Sequence, residues 1–376
     1  MKKVLLVPDI KGWVIEDMAF GIKKSLSHKF DFTIKYSDGL SGGDVIDWKT
    51  DYEKYDVVYL MTPSYIPEDL KDYSKVITTF HGGPGTEGQA NMIEIYGLKD
   101  MRISYVSNQT RKRLVEADFT SSDRISIPKG HNLSSYAKKK LNIKKVDKMD
   151  VREDGDCYRV GYTKKGFGLT NLWFTPHGVD IDVFTQDKVH DKFTCGYAGW
   201  AGYLVGIQKN HRRGRWILDA FGSSNFNLRI AAGIKIAGNR AEGDVRMIKK
   251  RYDNSKALQD RLDIRLYDHK DMPSFYRGIS CYLVPDRLAG GPVPVLEAGA
   301  MGIPVICTDA GLCGDIIEDG VNGKIISSYT QFLNTIKFME HNPDERNRMG
   351  KNLKEYVREN RSWDAVSKYW EDFING

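Results

Sequence analysis

The sequence is poor in cysteine, and its few cysteines are not arranged as a disulfide or zinc framework. They are odd in number and none forms a Cys-x-x-Cys pair: Cys157, Cys195, Cys281, Cys307 and Cys313. Disulfide-rich secreted domains and zinc ribbons have paired spacing, so neither class fits this chain. We expect reduced thiols and a cytoplasmic protein.

Long apolar runs are also missing. The first one, Val4–Val7, ends at Pro8 and is too short for the core of a secretory signal. No other stretch is apolar for long enough to cross a bilayer. With 41% hydrophobic and 28% charged residues the composition is that of a globular protein, and 376 residues suit two domains.

The net charge is +6, and its excess lies in one segment. Residues 121–170 hold 12 Lys/Arg and 6 Asp/Glu, whereas the rest of the chain holds 44 of each. Aromatic residues such as Tyr158 and Tyr162 are interleaved with the lysines. This composition suits a polyanion such as DNA or an anionic membrane surface. The alternative is that this segment is a solvated, Lys-rich insertion that contacts nothing.

Strand patterns alternate with helical patterns through most of the chain, which favours parallel sheets with crossover helices. The predicted strands are Val4–Val7, Phe32–Tyr36, Val57–Met61, Val76–Phe80 and Ile103–Val106, then Phe193–Ala198, Leu228–Ala232, Leu262–Leu266, Cys281–Val284 and Ile303–Cys307. Helices are predicted near Ile15–Ser27, Glu87–Leu98 and Thr110–Ala117. Two doubly wound units are the simplest account, and ligands of such sheets bind beyond the carboxyl ends of the strands.

The most informative segment runs from Gly290 to Gly323. It begins Gly-Gly-Pro-Val-Pro-Val-Leu-Glu-Ala-Gly-Ala-Met-Gly-Ile-Pro-Val and ends Asp-Gly-Val-Asn-Gly. A glycine loop opens a short helix with one carboxylate, Glu297, and a small-residue corner leads into a buried strand. Free N–H groups at a helix start favour an anionic ligand by about 0.3–1 kcal/mol per charge.

This segment resembles the donor-binding segment of glycosyltransferase family 4, whose pattern is Glu-Gly-x-Pro-x-x-x-Leu-Glu-Ala-x-Ala-x-Gly-x-Pro-Val, then Asp-Gly-x-Asn-Gly. The matching residues are Gly290, Pro292, Leu296, Glu297, Ala298, Ala300, Gly302, Pro304, Val305, Asp319, Gly320, Asn322 and Gly323. Ala289 replaces the first Glu. The resemblance implies the α/β GT-B fold, in which two Rossmann-like domains with doubly wound parallel sheets face a cleft.

The resemblance also implies the domain boundaries. The turn from Thr175 to Asp180 is similar to the interdomain turn of the family, so we predict an acceptor domain at 1–178 and a donor domain at 179–361. The basic insertion at about 121–170 belongs to the first domain, and a C-terminal helix at 362–376 is expected to pack back onto it.

The donor site implied by the resemblance centres on Glu297, which would accept hydrogen bonds from the ribose hydroxyls; capping of its own helix is the alternative role. Gly290, Gly291 and the N–H of Val293 would face the phosphates or the sugar, and Pro292 would shape the loop.

Residues outside this segment complete the predicted site. His81 follows a strand and precedes glycine, as the His-Gly at the sugar site of the family does, and Gly12 matches the acceptor-side loop. Trp200 stands where the family has an Arg that binds the diphosphate. Lys209 or Arg213 would then act on the diphosphate, with an exposed basic helix start as the alternative. We assign catalysis to His81, Lys209 and Glu297.

No metal site is expected. The triplet from Asp180 to Asp182 imitates an Asp-x-Asp motif, but it lies in the interdomain turn, and GT-B enzymes generally need no metal. The replacements at Ala289 and Trp200 each remove a charged hydrogen bond worth roughly 1.5–3 kcal/mol. Such a loss slows a reaction about ten- to a hundredfold rather than abolishing it.

We therefore expect a retaining, metal-independent glycosyltransferase of the hexosyltransferase type. It would move a sugar from a nucleoside-diphosphate sugar, expected to be a UDP-sugar, to a hydroxyl of a surface glycan or glycolipid, without a cofactor. A phage-type DNA glycosyltransferase acting on hydroxymethylated bases is one alternative. An inactive protein that binds a nucleotide sugar or a glycan is the other. The protein would be cytoplasmic or peripheral at the inner face of a membrane.

Overall fold

The computed structural model describes most of the chain. The described residues are 1–9, 11–12, 14–37, 43–63, 70, 72–82, 98, 101–115, 118–120, 125–128, 148–154, 157–165, 169, 171–185, 192–206, 213–233, 240–287 and 289–376. The chain divides into two compact units. The first comprises Met1–Ile10, Ser27–Thr175 and Tyr369–Gly376, and the second comprises Lys11–Leu26 and Pro176–Lys368.

The first unit is built on a parallel sheet of six strands. Its strands are β1 (Lys2–Val7), β2 (Phe30–Ile34), β3 (Val57–Leu60), β4 (Val76–Phe80), β5 (Ile103–Tyr105) and β10 (Leu172–Phe174), in the order β10-β5-β4-β3-β1-β2. The apolar runs of the sequence become strands because they are buried on both faces: Val4 to Val7 and Val57 to Leu60 are at most 2% exposed. Short helices α2 (Trp48–Asp51) and α3 (Asn108–Val115) belong to this unit.

The basic insertion contains a separate antiparallel sheet. Its strands are β6 (Asp118–Thr120), β7 (Ile125–Pro128), β8 (Lys148–Asp154) and β9 (Cys157–Lys165), with β9 paired to all three others. Part of the insertion is therefore folded as a sheet of its own. The lysines at 138–140 and 144–145 lie outside the described residues.

The C-terminal residues of the chain complete the core of the first unit. The second half of helix α12 (Trp363–Asn375) carries Trp370 and Phe373, which are both fully buried. Their rings lie 6.0 Å and 5.7 Å from that of Tyr59 on β3. The Arg102 guanidinium donates to the carbonyl of Phe373 at 2.8 Å, which satisfies a carbonyl of the last helical turn.

The second unit contains the second parallel sheet. Its strands are β11 (Thr194–Gly199), β12 (Asn227–Gly233), β13 (Leu262–Tyr267), β14 (Cys281–Val284), β15 (Val305–Cys307) and β16 (Gly323–Ile325), in the order β13-β12-β11-β14-β15-β16. Strand order reverses between β11 and β14. In doubly wound sheets such a switch point opens a crevice for ligands at the carboxyl ends of the strands.

The helices that group with this sheet are α1 (Val14–Leu26), α4 (Arg215–Gly222), α5 (Arg240–Lys250), α6 (Lys256–Gln259), α7 (Met272–Tyr276), α8 (Val293–Ala300), α9 (Leu312–Ile316), α10 (Tyr329–His341), α11 (Pro343–Asn360) and the start of α12. Helix α1 precedes β2 in sequence but groups with this unit, since Gly21 lies directly against the Trp363 ring and Lys24 pairs with Asp180 at 2.8 Å.

Candidate functional site

The glycine loop of the key segment lies between β14 and α8. Gly290 is buried and Gly291 is half-buried. The N–H of Val293 donates to the Gly291 carbonyl at 2.8 Å, and that of Val295 donates to the Pro292 carbonyl at 2.8 Å. Pro294, between them, has no N–H. The N–H groups of Val293 and Val295 are thus already used within the local turn, while the role expected of Gly290 and Gly291 stays a prediction.

The turn that precedes α9 packs against the same loop and fixes its position. The Gly290 carbonyl accepts the N–H of Leu312 at 2.8 Å. At Gly311, φ is +56°, and a Cβ there would lie 2.2 Å from the Ala289 oxygen and 2.3 Å from the Gly290 oxygen. Only glycine permits this approach, so Gly311 determines the position of the loop.

Glu297 lies on the second turn of α8 and is only 3% exposed. Its Oε2 accepts the Tyr276 hydroxyl at 2.7 Å, and its Oε1 lies 2.9 Å from Nε2 of His269. Helix α8 thus does not use Glu297 as a cap. Burial raises the pKa of Tyr276 well above its usual range, and the charge on Glu297 adds to this effect. The phenol therefore keeps its proton and remains a donor to the carboxylate.

His269 connects Glu297 to helix α1. Its Nδ1 lies 2.9 Å from Oδ2 of Asp17. Burial lowers the pKa of His269, but the carboxylates of Asp17 and Glu297 outweigh burial and raise it to about 10. The ring is an imidazolium at neutral pH. Sequence reasoning missed Asp17, His269 and Tyr276. The position of His269, just beyond the carboxyl end of β13, is the topological signal that would have found it.

A cavity of about 450 Å³ opens beside these groups, within the size range of small-molecule sites. It is lined by one face of α1, the 177–184 turn, the start of α12 and the polar cluster: Val14, Asp17, Met18, Phe20, Gly21, Lys23, Lys24, His177, Gly178, Val179, Asp180, Val183, Phe184, His269, Val293, Glu297 and Trp363. Two predicted site residues, Val293 and Glu297, thus share one cavity.

Two other predicted site residues lie at loop positions. Gly12 has φ of +73°, and its N–H donates to the Glu16 carboxylate at the start of α1. His81 belongs to the first unit, where it follows β4. Its Nε2 donates to the Met61 carbonyl at 2.7 Å. Burial lowers the pKa of His81 to about 4, despite that hydrogen bond, so its ring is neutral at pH 7.

The predicted diphosphate clamp is only partly described. Lys209 lies outside the described residues. The Arg213 guanidinium stacks over the Trp216 ring, 4.5 Å from its centroid. Burial, and then the charge of Arg287, lower the pKa of Arg213, so two guanidinium groups influence one another here. Trp200 donates its indole N–H to Asp244 at 2.9 Å and has a structural partner.

Neither a metal centre nor a membrane span emerges from the described part of the chain. Within those ranges no group of three or more His, Cys, Asp or Glu residues could hold a metal ion. Asp180 and Asp182 instead lie 2.8 Å and 3.6 Å from the Lys24 ammonium. None of the described helices is both long and apolar enough to cross a membrane.

Comparison with known proteins identifies the segment that carries this site. Residues 215–356, from α4 to α11, match the family model of glycosyl transferases group 1. The matched segment lies in the second unit and is similar to this family. It includes the loop at 289–292, His269, Tyr276 and Glu297. The resemblance predicted from the key segment is thereby confirmed at the level of the group 1 domain.

Two curated relatives match parts of the chain. A 63-residue stretch, 17% of this chain, is 33% identical to the lipopolysaccharide core biosynthesis mannosyltransferase LpsB of Rhizobium meliloti and covers 18% of it. A 165-residue stretch, 42% of this chain, is 28% identical to the uncharacterized glycosyltransferase MJ1178 of Methanocaldococcus jannaschii and covers 43% of it. The matched part spans less than half the length of either relative. Their names support a transferase enzyme.

The fold comparison covers the whole chain. Anabaena Alr3699/HepE, solved in complex with UDP and glucose, aligns over 100% of both chains with a TM-score of 0.65 and 10% identity. Identity this low shows the fold alone. Together with the two six-stranded parallel sheets, it confirms the predicted GT-B architecture of two Rossmann-like domains.

Proposed function

We propose that this protein transfers a sugar from a nucleoside-diphosphate sugar to a hydroxyl acceptor. The observation that carries the proposal is the buried Glu297 carboxylate, which lies in the segment that matches glycosyl transferases group 1 and lines a cavity of about 450 Å³. A carboxylate accepts hydrogen bonds from vicinal hydroxyls, and ribose supplies such a pair. Since Alr3699/HepE binds UDP and has a similar fold, UDP is the first nucleotide to test.

The chemistry proposed is retention of anomeric configuration without a metal. The bond from the anomeric carbon to the diphosphate oxygen breaks, the bond to the acceptor oxygen forms, and the departing phosphate takes the acceptor proton. Cationic groups must stabilise the leaving diphosphate. Arg213 and Arg287, whose charges interact, are candidates for this role. Lys209 is proposed as a third candidate. Neutral His81 is proposed to bind a sugar hydroxyl.

The acceptor proposed first is a surface glycan or glycolipid. The match to an enzyme of lipopolysaccharide core biosynthesis supports this choice. The basic insertion at 121–170 is proposed to meet the anionic surface around a lipid-linked acceptor, with the enzyme acting peripherally at a membrane. A hydroxymethylated DNA base is the second candidate, favoured by the same concentration of charge. Steeply salt-dependent binding to duplex DNA, with sugar transfer to it, would select DNA.

The experiment that tests the proposal follows nucleoside diphosphate release from UDP-, GDP- and ADP-sugars, with EDTA present and absent. Glu297→Gln keeps the shape of the side chain but removes its charge, and should lower turnover of the preferred donor at least tenfold. Glu345→Gln, at an exposed ion pair with Arg348, is the matched control and should leave it unchanged. If the protein binds a donor but releases no nucleoside diphosphate with any donor or acceptor, the alternative of an inactive binding protein is favoured. The replacements at Ala289 and Trp200 suggest that alternative.

A further inference from the structure

Four side chains form a row beside the cavity, and three of them, Asp17, His269 and Glu297, line it. Asp17 on α1, His269 after β13, Glu297 on α8 and Tyr276 on α7 are linked by contacts of 2.9, 2.9 and 2.7 Å. Glu297 is 3% exposed and His269 is one-third exposed. The four groups come from four separate elements, so their alignment is a product of the tertiary fold.

The position of His269 between two carboxylates favours a protonated ring. Each ring nitrogen faces a carboxylate oxygen at 2.9 Å. A neutral imidazole has one N–H, so its other nitrogen would oppose the lone pairs of a carboxylate. An imidazolium donates to Glu297 at Nε2, and its positive charge, 2.9 Å from Asp17 at Nδ1, balances one of the two negative charges. The other charged groups lining the cavity are Lys23, Lys24 and Asp180, together with His177, and Lys24 pairs with Asp180.

The row leaves Glu297 able to bind two further donors. A carboxylate has about four lone-pair sites, and His269 and Tyr276 occupy one on each oxygen. Two sites remain, which is the number that a pair of vicinal hydroxyls requires. Because both oxygens are already held, the carboxylate cannot rotate to seek its ligand, and such preorganisation reduces the free-energy cost of binding.

We propose that His269 is a positioning residue, held by Asp17, that orients Glu297 toward the vicinal hydroxyls of a nucleotide ribose. The proposal rests on the proposed function for its ligand. The protonated ring limits the net charge of the row to one negative unit, so a donor that carries a diphosphate meets less repulsion. When the ring loses its proton, the positive charge that balances one of the two carboxylates is lost, and the row repels the diphosphate more strongly.

The first test concerns the ring and does not depend on activity. Nitrogen NMR of labelled protein should show His269 titrating at a pH near 10, and Asp17→Asn should lower that pKa because one stabilising carboxylate is removed. Titration near the ordinary value of about 6.5 in the wild type would overturn the proposal.

The second test measures UDP, GDP and ADP binding by calorimetry from pH 6 to 10.5, with donor KM and kcat. His269→Gln should weaken nucleotide binding about ten- to a hundredfold at pH 7 and raise donor KM more than it lowers kcat. Wild-type affinity should fall as the pH passes about 9, whereas the variant should show no such fall. His341→Gln, at an exposed histidine of α10, is the control.

The outcomes separate the two proposals. If the wild type binds none of the three nucleotides, the proposed function fails, whatever the ring titration shows. If the wild type binds a nucleotide and both His269→Gln and Asp17→Asn bind it equally well, the role of His269 is refuted and the proposed function stands. An unchanged pH profile in His269→Gln would also refute it, because a merely structural histidine would not alter that profile.

Discussion

Replacing Gly311 by alanine should displace the loop at 289–292 while leaving its sequence intact. The new Cβ would lie 2.2 Å from the Ala289 oxygen, so the loop must retreat by about 1 Å to reach an ordinary contact distance. The positive φ adds strain of about 1–3 kcal/mol, and the forced contact adds about 1–3 kcal/mol more. A displacement of about 1 Å at a site can reduce activity about a hundredfold.

Gly320→Ala is a matched control for the strain that a positive φ imposes on alanine. Gly320 has φ of +76°, and an added Cβ would meet nothing closer than the Lys324 ammonium at 3.5 Å. Gly320→Ala should therefore lose about 1–3 kcal/mol of unfolding free energy and keep its nucleotide affinity. Urea unfolding and calorimetric titration of UDP measure the two effects. A folded Gly311→Ala variant that binds UDP as tightly as Gly320→Ala would refute the role of the loop.

Three further predictions concern separate parts of the molecule. Tyr276→Phe removes a donor from the buried Glu297 carboxylate and should cost about 1–3 kcal/mol in urea unfolding at pH 7; no loss would show that this hydrogen bond is not formed. Trp370→Ala should cost about 3–5 kcal/mol by circular dichroism, far more than Tyr369→Ala at a half-exposed position, and equal losses would contradict the assigned core. Because burial depresses the pKa of His81 to about 4, the unfolded chain binds a proton below pH 6.5 that the folded chain does not. The unfolding free energy should fall between pH 6.5 and 4, and less so in His81→Asn; parallel curves for both proteins would argue against burial of the ring.

The sheets were predictable because buried parallel strands are apolar throughout. The runs at Val4–Val7, Val57–Met61 and Cys281–Val284 lie in strands apart from Met61, and the helix expected at Ile15–Ser27 is observed at Val14–Leu26. The antiparallel sheet of the insertion was not predicted, because lysines interrupt the alternation by which a strand is recognised. The helix expected at Glu87–Leu98 lies outside the described residues apart from Leu98.

The site was predictable only where chemistry follows local sequence. Glu297 stands in a continuous motif, and the structure places it in a cavity. Its partners are Asp17, His269 and Tyr276, and the most distant of them, Asp17, precedes Glu297 by 280 residues. No local sequence pattern links these positions. The N–H groups of α8 could not be judged from sequence either, since the turn between Gly291 and Val293 appears only in the folded backbone.

The most direct test of the account is a crystal structure of the protein with bound UDP. The account predicts ribose hydroxyl oxygens within about 3.2 Å of the Glu297 carboxylate, with the His269 and Tyr276 contacts retained. Nucleotide bound elsewhere, with Glu297 contacting protein groups alone, would contradict it.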